Sequence, residues 1–543
     1  MGFRKERKMT WIADEMTRRR MIQVSTMAGA GFFLARGGGC ETEPKRTFHL
    51  CLSPQSIAEE PERVKVVQDA GVTDIWMGAF FYGHWYSHPD TLRACRDRLA
   101  KAGLRAHVVN VPLGHPGDSL GEKSGTFPLT PPERWRIAVR PDGSKYAGTS
   151  LHPPATEENA EALRRIQDIG ISEVFLDDDF RLAVGPGTIG GCFCDRHREQ
   201  FLKRGGYTAA KWNELLEDVS RRVLTPILRD WVEFTCDQLT ESFREQQKAA
   251  PNLRLGNMVM YLGAEKAGIR LADYRDVPLR VGELMFDDNS FGKLNNKTNE
   301  LFSSLFHRRF VSPELAYSET TAFPADKLSA KNMAAKLVIS TISDVRNTMF
   351  MSGMTPFPLG HWEVLAPAMK KQAAEHERIA GHKPRGPFKH YWGEWSRYVS
   401  KDQPYSLFLA TGIPFEVTET PAQEGWTFLS DSDAQAAAAS DLRSSGTKFV
   451  IRPESGVAID GAIPIAQDLT SLFAFKKEIL PQLPEVPSVE DEKPVVCAWY
   501  PTARAVLLWN LSETKETFTV TFGSARREVE INGLDSGLLT DIG

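Results

Sequence analysis

Several things that would have narrowed the function at once are missing from this chain. It has no basic excess: 66 Lys and Arg stand against 70 Asp and Glu, a formal charge of −4, so there is no electrostatic footprint for nucleic acid. Cysteine is scarce, seven in 543 residues. Cys40, Cys51, Cys95, Cys192, Cys194, Cys236 and Cys497 are odd in number and, one close pair apart, scattered, which argues against a disulfide framework. The apolar run near the N-terminus covers only about 15 residues, short of the roughly 20 that a membrane helix needs. No repeat of the 20 to 50 residue kind is visible. What is present is ordinary for a globular chain: 41% hydrophobic and 25% charged residues, with 12 Trp and 30 Phe. The length allows two to four domains.

The first forty residues read as an address. A basic leader ends in "TRRRMIQ", with Arg18 and Arg19 as a twin-arginine pair, followed by a small-residue apolar run to Ala35. Cys40 follows three glycines and is a candidate for acylation, although Gly37 stands where an aliphatic residue is usual. The expectation is an exported protein, periplasmic or anchored as a lipoprotein, with residues 1–44 as signal and tether.

Beyond the leader, strand-like runs alternate with amphipathic helices that close on glycine. Strand candidates lie at 47–54, 73–81, 104–114, from 173, and at 253–261, 279–288, 314–323 and 347–353. Eight strand–helix units over residues 45–385 predict a (β/α)8 barrel with insertions; a doubly wound open sheet is the competitor. Residues 386–485 predict a small α/β domain, and the short β-prone runs of 486–543 a terminal β-sandwich.

In such a barrel the chemistry sits where strands end. "EVFLDDDFRL" is the most informative stretch, because a buried strand gains nothing from running into Asp177, Asp178 and Asp179. Asp177 and Asp179 share a face if the strand stays regular, and one aspartate is expected only to cap or to accept backbone N–H groups. Other strand ends offer His84 and Trp85, Asn110 and His115, Arg181, Asp287 and Asp288, Glu319, and His361 with Trp362. Carboxylates interleaved with aromatics and histidines suit glycoside cleavage, in which one carboxyl delivers a proton and the other stays ionised. Clustered aspartates also suit a divalent cation, but the spacing is not that of a calcium loop.

"LDDDF" (176–180) resembles the "xDNEY" stretch that ends the fourth strand in β-galactosidases of glycoside hydrolase family 42. "CFCDRHREQFLKRGGYTAAKWNELLE" (192–217) is similar to that family's cysteine-bearing segment. The order barrel, small α/β domain, β-domain also resembles the family's, in which the middle domain contributes to trimers. The resemblance implies Asp179 as general acid/base, Asp178 on the position of the preceding asparagine, and Glu319 as nucleophile. The strand-end residues His84, Trp85, Asn110, His115, Arg181, Asp287, Asp288, His361 and Trp362 are the candidates around the sugar. Catalysis would need no cofactor. Cys192, Cys194 and His197 resemble the family's zinc ligands, with Cys95 and His115 as candidates for a fourth. Two departures are plain: Asp replaces Glu as acid/base, and Asp replaces Asn beside it.

The expectation is an exported glycoside hydrolase acting on a carbohydrate, with no nucleic-acid partner, a lipid anchor at Cys40 and a homo-oligomeric state. The alternatives are a glycosidase pairing Asp178 or Asp179 with Asp288, and a catalytically inactive carbohydrate-binding lipoprotein.

Overall fold

The computed structural model describes residues 45–542 except 114–122, 125–126, 178–179, 184, 186, 260–261, 282–284, 440–445 and 484. The leader with Arg18, Arg19 and Cys40, and the candidates His115, Asp178 and Asp179, therefore lie outside the described residues. The described residues from 45 to 542 pack as one compact unit.

Eight parallel strands form a closed ring: β1 (Thr47–Cys51), β2 (Asp74–Phe81), β3 (Arg105–Val111), β4 (Glu173–Leu176), β5 (Arg254–Val259), β6 (Leu279–Val281), β7 (Ala316–Thr321) and β8 (Asn347–Met351). Closure is made by β1, which pairs in parallel with both β2 (Leu50 opposite Ile75) and β8 (Leu50 opposite Phe350). β2 and β7 are buried along their whole length, as parallel strands must be when helices cover one face and the barrel interior fills the other. The helices between them start and stop on local signals. Pro61–Asp69 opens on proline and gives way to Gly71 at φ +105°; Pro89–Lys101 ends before Gly103 at φ +78°. Only glycine enters that left-handed region without strain.

The barrel interior is filled by Cys51, Trp76, Val109, Phe175, Tyr317, Met349 and Met351. Its floor, at the strand N-termini, is polar. Asp74 accepts hydrogen bonds from Thr73 Oγ1 (2.6 Å), Arg105 Nη2 (2.8 Å) and His107 Nε2 (2.7 Å). His49 Nδ1 accepts from Trp76 Nε1 at 3.1 Å, and the Tyr317 hydroxyl donates to Glu173 at 3.1 Å.

Beyond the barrel, five parallel strands form a second sheet in the order β10-β9-β11-β12-β13: β9 (Phe388–Tyr391), β10 (Phe415–Thr418), β11 (Glu424–Leu429), β12 (Gly446–Ile451) and β13 (Ile463–Pro464). That order, 2-1-3-4-5, is the flavodoxin-like one. Two antiparallel sheets follow. One joins β14 (Ser488–Val489), β17 (Glu516–Phe522) and β18 (Ala525–Ile531); the other joins β15 (Val495–Tyr500), β16 (Ala505–Asn510) and β19 (Ser536–Thr540). Val489, Phe518 and Ile531 from the first share a core with Cys497, Val506 and Leu508 from the second, the arrangement of a β-sandwich.

One expected strand is only partly described. Among the described residues of 279–288, Leu279–Val281 is strand, and Asp287 caps a short helix, Asp288–Phe291.

Candidate active site

The strand C-termini open on the face of the barrel opposite the polar floor. Along β7 the alternation of side chains places Tyr317, Glu319 and Thr321 on one side. Glu319 is 3% exposed, and its Oε1 accepts a hydrogen bond from Thr321 Oγ1 at 2.7 Å. Across the barrel, Asp177 follows directly on β4; its backbone N–H donates to Asn110 O at 2.7 Å, and its own carbonyl accepts from Phe180 N at 2.9 Å.

Between these two carboxylates stands Arg280 of β6, fully buried. Its Nη2 forms an ion pair with Asp177 Oδ1 and lies 3.6 Å from Glu319 Oε2. The guanidinium is seated among apolar groups, with Met349 Sδ at 3.3 Å, Met258 Sδ at 2.9 Å and the Phe175 ring 5.8 Å away. A buried cation of this kind needs its counter-charges, and two carboxylates so close together need the cation. Cys51 reports on the same charges. Burial pushes its thiol well above the ordinary value, Arg280 opposes this, and Asp177 and Glu319 add to it, so Cys51 stays protonated and is no nucleophile.

The loops of this face are tied to the second sheet by Asp402, which accepts from Gly187 N (3.1 Å) after β4 and from Gly263 N (3.0 Å) after β5, and pairs with the buried Lys266. Lys266 O in turn accepts from Gly190 N at 2.6 Å. One carboxylate thus holds two active-face loops.

The other candidates divide. Asn110 is buried, and its Oδ1 accepts from Phe80 N at 3.1 Å, stitching the ends of β2 and β3. Half-buried His84 lies 3.1 Å from Thr130 O, and Trp85 packs edge-on against Phe80. Arg181 is buried and donates to Ala183 O within its own loop at 3.2 Å. Asp287 and Asp288 are taken up by loop structure. Asp287 caps Ser290 N at 2.7 Å; Asp288 Oδ1 accepts from Ser329 N (2.8 Å), Ser329 Oγ (3.0 Å) and Asn332 Nδ2 (2.7 Å). His361 lies 3.1 Å from Leu328 O. Trp362, expected beside the sugar, is instead core: 3% exposed and edge-on to Phe350, because it sits on the inward side of helix His361–Ile379.

The chain shares its fold with two β-galactosidases. That of Rahnella sp. R3 superposes with a TM-score of 0.60 at 11% identity, 92% of this chain matching 98% of that one. The β-galactosidase of the psychrophilic Marinomonas ef1 gives a TM-score of 0.55 at 10% identity, with 91% and 99% covered. No protein-family model matches the chain, and no curated protein matches it in sequence.

A second cluster lies beside the barrel. His152, Cys194 and His197 are buried with their ligand atoms within 4.8 Å of one another. Cys194 Sγ is 3.4 Å from His197 Nδ1 and 3.7 Å from His152 Nε2, and the two imidazoles stack at 4.4 Å. Zn–S near 2.3 Å and Zn–N near 2.0–2.1 Å at tetrahedral angles put S and N roughly 3.5 Å apart, so the spacing fits. Hydrogen bonds from the Cys192 thiol, His152 and His197 hold the Cys194 thiol far below its ordinary value against the effect of burial. Cys192, the donor to Cys194, is pushed the other way. Cys95 is elsewhere, its thiol directed at Pro54 O.

Arg280, Asp402 and His152 were not singled out in the sequence. A lone arginine inside the apolar "PLRVG" was a readable signal. His152 stands 42 residues from Cys194, and no spacing pattern reaches that far.

Proposed function

We propose that the protein is a glycoside hydrolase that removes a terminal, galactose-type sugar from an oligo- or polysaccharide, with retention of configuration. The observation that carries this is Glu319, buried inside the barrel at the end of β7 and joined through Arg280 to Asp177 at the end of β4. In this reading Glu319 attacks the anomeric carbon, and Asp179, two residues beyond Asp177, protonates the leaving oxygen and then activates water. Asp178 completes the acidic strand end. Arg280 offsets the repulsion between Asp177 and Glu319 and orients the nucleophile. The likeness in fold to β-galactosidases over nine-tenths of the chain supports the galactose-type sugar.

The pairing of strand four with Asp288 has less support, since three donors already occupy that carboxylate oxygen. A carbohydrate-binding lipoprotein without turnover stays as the second reading, motivated by the two aspartates that stand where the resemblance implies Glu and Asn. Hydrolysis of a panel of nitrophenyl glycosides decides between them. Turnover that falls away in Glu319→Gly and is partly restored by azide supports the nucleophile; calorimetric sugar binding with no turnover on any member supports the binding protein.

Two further elements belong to the proposal. A structural zinc ion would be held by Cys192, Cys194, His197 and His152, fixing the loop after β4 to the start of helix Asp195–Gly205 and taking no part in bond cleavage. Export through Arg18 and Arg19, anchorage at Cys40 and assembly into a homo-oligomer complete the picture of an enzyme that meets its polymer outside the cytoplasm.

A further inference from the structure

The opposite, N-terminal face of the barrel holds a second concave feature. A cavity of about 360 Å³ is lined by Arg275, Arg308, Arg309 and Lys383, with Asp344 as its one carboxylate. These residues precede β6, β7, β8 and β9 in the chain, so they lie at the strand starts, away from Glu319. Asp344 is already committed. His376 Nε2 lies 2.8 Å from it, Gly381 N donates at 3.1 Å, and Arg346 and Arg308 approach at 3.5 and 3.6 Å. Arg308 is also spent on the carbonyls of Ser343, Asp344 and Val311, and Arg309 on Glu419 and Val417 O. Two further nearby carboxylates are also taken up: Glu416 is shared by Arg385, Lys389 and, at 3.8 Å, Arg309, and Glu314 pairs with Arg346 at 2.6 Å.

Two cations are left over. Among the described residues Lys383 has no hydrogen-bond or ion-pair partner, and Arg275 has only the face of Phe310, 5.4 Å from its guanidinium. Both reach solvent at the cavity mouth. Partial burial, and then the charges of Arg308, Arg309 and Arg385, draw the Lys383 ammonium below its ordinary value. Arg308 and Arg309 already have carboxylate partners, but Arg275 and Lys383 add two further positive charges to the same cleft, and an anion there would be attracted by both.

We infer that this cavity binds a small dianionic oxyanion, sulfate or phosphate, free or as the ester of one sugar-sized group. The guanidinium of Arg275 supplies a planar fork and Lys383 a point charge, a pairing suited to tetrahedral oxyanions. The volume exceeds that of the bare ion and leaves room for the pendant group. This inference does not depend on the glycosidase reading.

Calorimetry on the full-length protein at constant ionic strength tests it, with sodium chloride as reference and sodium sulfate, sodium phosphate, glucose 6-sulfate, glucose 6-phosphate and glucose as titrants. The expected result is one site for the oxyanions and none for glucose. Affinity should fall about tenfold or more in Arg275→Gln/Lys383→Gln, the loss of two charged contacts, and survive in Lys383→Arg. Tighter binding of the esters assigns the natural ligand to a sugar ester, and equal binding assigns it to the free ion. Both variants should melt as wild type does without ligand, since both side chains are exposed. Oxyanion binding that is no stronger than chloride, or that persists unchanged in the double variant, overturns the inference.

Discussion

The two ends of one barrel carry similar chemistry in opposite states. At the floor, Asp74 accepts from a hydroxyl, a guanidinium and an imidazole, and its neighbours His49, Trp76 and Tyr317 are locked among themselves. At the rim, Asp177 and Glu319 are held by one buried arginine lodged between two methionines. The floor is a stopper whose polar groups face each other in the interior. At the rim, the two carboxylates are buried beside one cation inside the barrel, near its strand C-termini. On the proposed reading, carboxylates of one kind serve stability at the floor and catalysis at the rim.

The sharpest way to break this contrast is to neutralise one carboxylate at each end. Glu319→Gln should lower kcat about 10³-fold or more while its melting temperature stays close to wild type. Asp74→Ala should do the reverse: activity per folded molecule within about twofold, but stability lower by about 3–5 kcal/mol in denaturant titration, the usual result of stranding a buried partner. If both variants lose activity and stability together, the division between the ends fails.

Acid sharpens it further. Burial holds the His49 imidazole down at about 3, and His390 in the second sheet at about 4, against 6.5 in an open chain. A histidine with a depressed value in the folded state contributes stability that is complete above pH 6.5. It is lost as the pH falls toward the folded value, because the unfolded chain takes up the proton first. Stability should therefore decline from about pH 6.5 downward, on the order of 1 kcal/mol per pH unit for each such histidine. Chemical denaturation between pH 7 and 4 measures it. His49→Gln should flatten that slope.

The smallest effect is expected beside the barrel. Cys194→Ser, or dialysis against a chelator, should remove one equivalent of zinc measured by atomic emission and lower the melting temperature by about 2–4 °C. Turnover per folded molecule should persist. Wild-type protein that carries no zinc after expression in zinc-supplemented medium would contradict the metal reading.

Much of this was legible in the order of residues. All eight barrel strands fall within the runs expected from apolar stretches between glycine-stopped helices, because a parallel strand buried on both faces must be apolar throughout. Glu319 stood out since a carboxylate inside such a strand has no other excuse. Trp362 misled, because an aromatic just past a strand end fits a sugar platform and the inward side of a covering helix equally well. Asp287 and Asp288 misled for a related reason: Asp is also what a helix start requires. Arg280 was readable as a lone charge in an apolar run, but its partners across the barrel and His152, 42 residues from Cys194, depend on contacts that local pattern does not encode.

The most direct test of the central claim is covalent capture. The wild-type enzyme is incubated with an activated 2-deoxy-2-fluoro glycoside of whichever sugar the nitrophenyl panel shows to be cleaved, digested, and read by peptide mass spectrometry. One fluoroglycosyl group on Glu319 is predicted. A label on any other carboxylate, or continued turnover of the natural sugar by Glu319→Gln at the wild-type rate, would contradict the assignment.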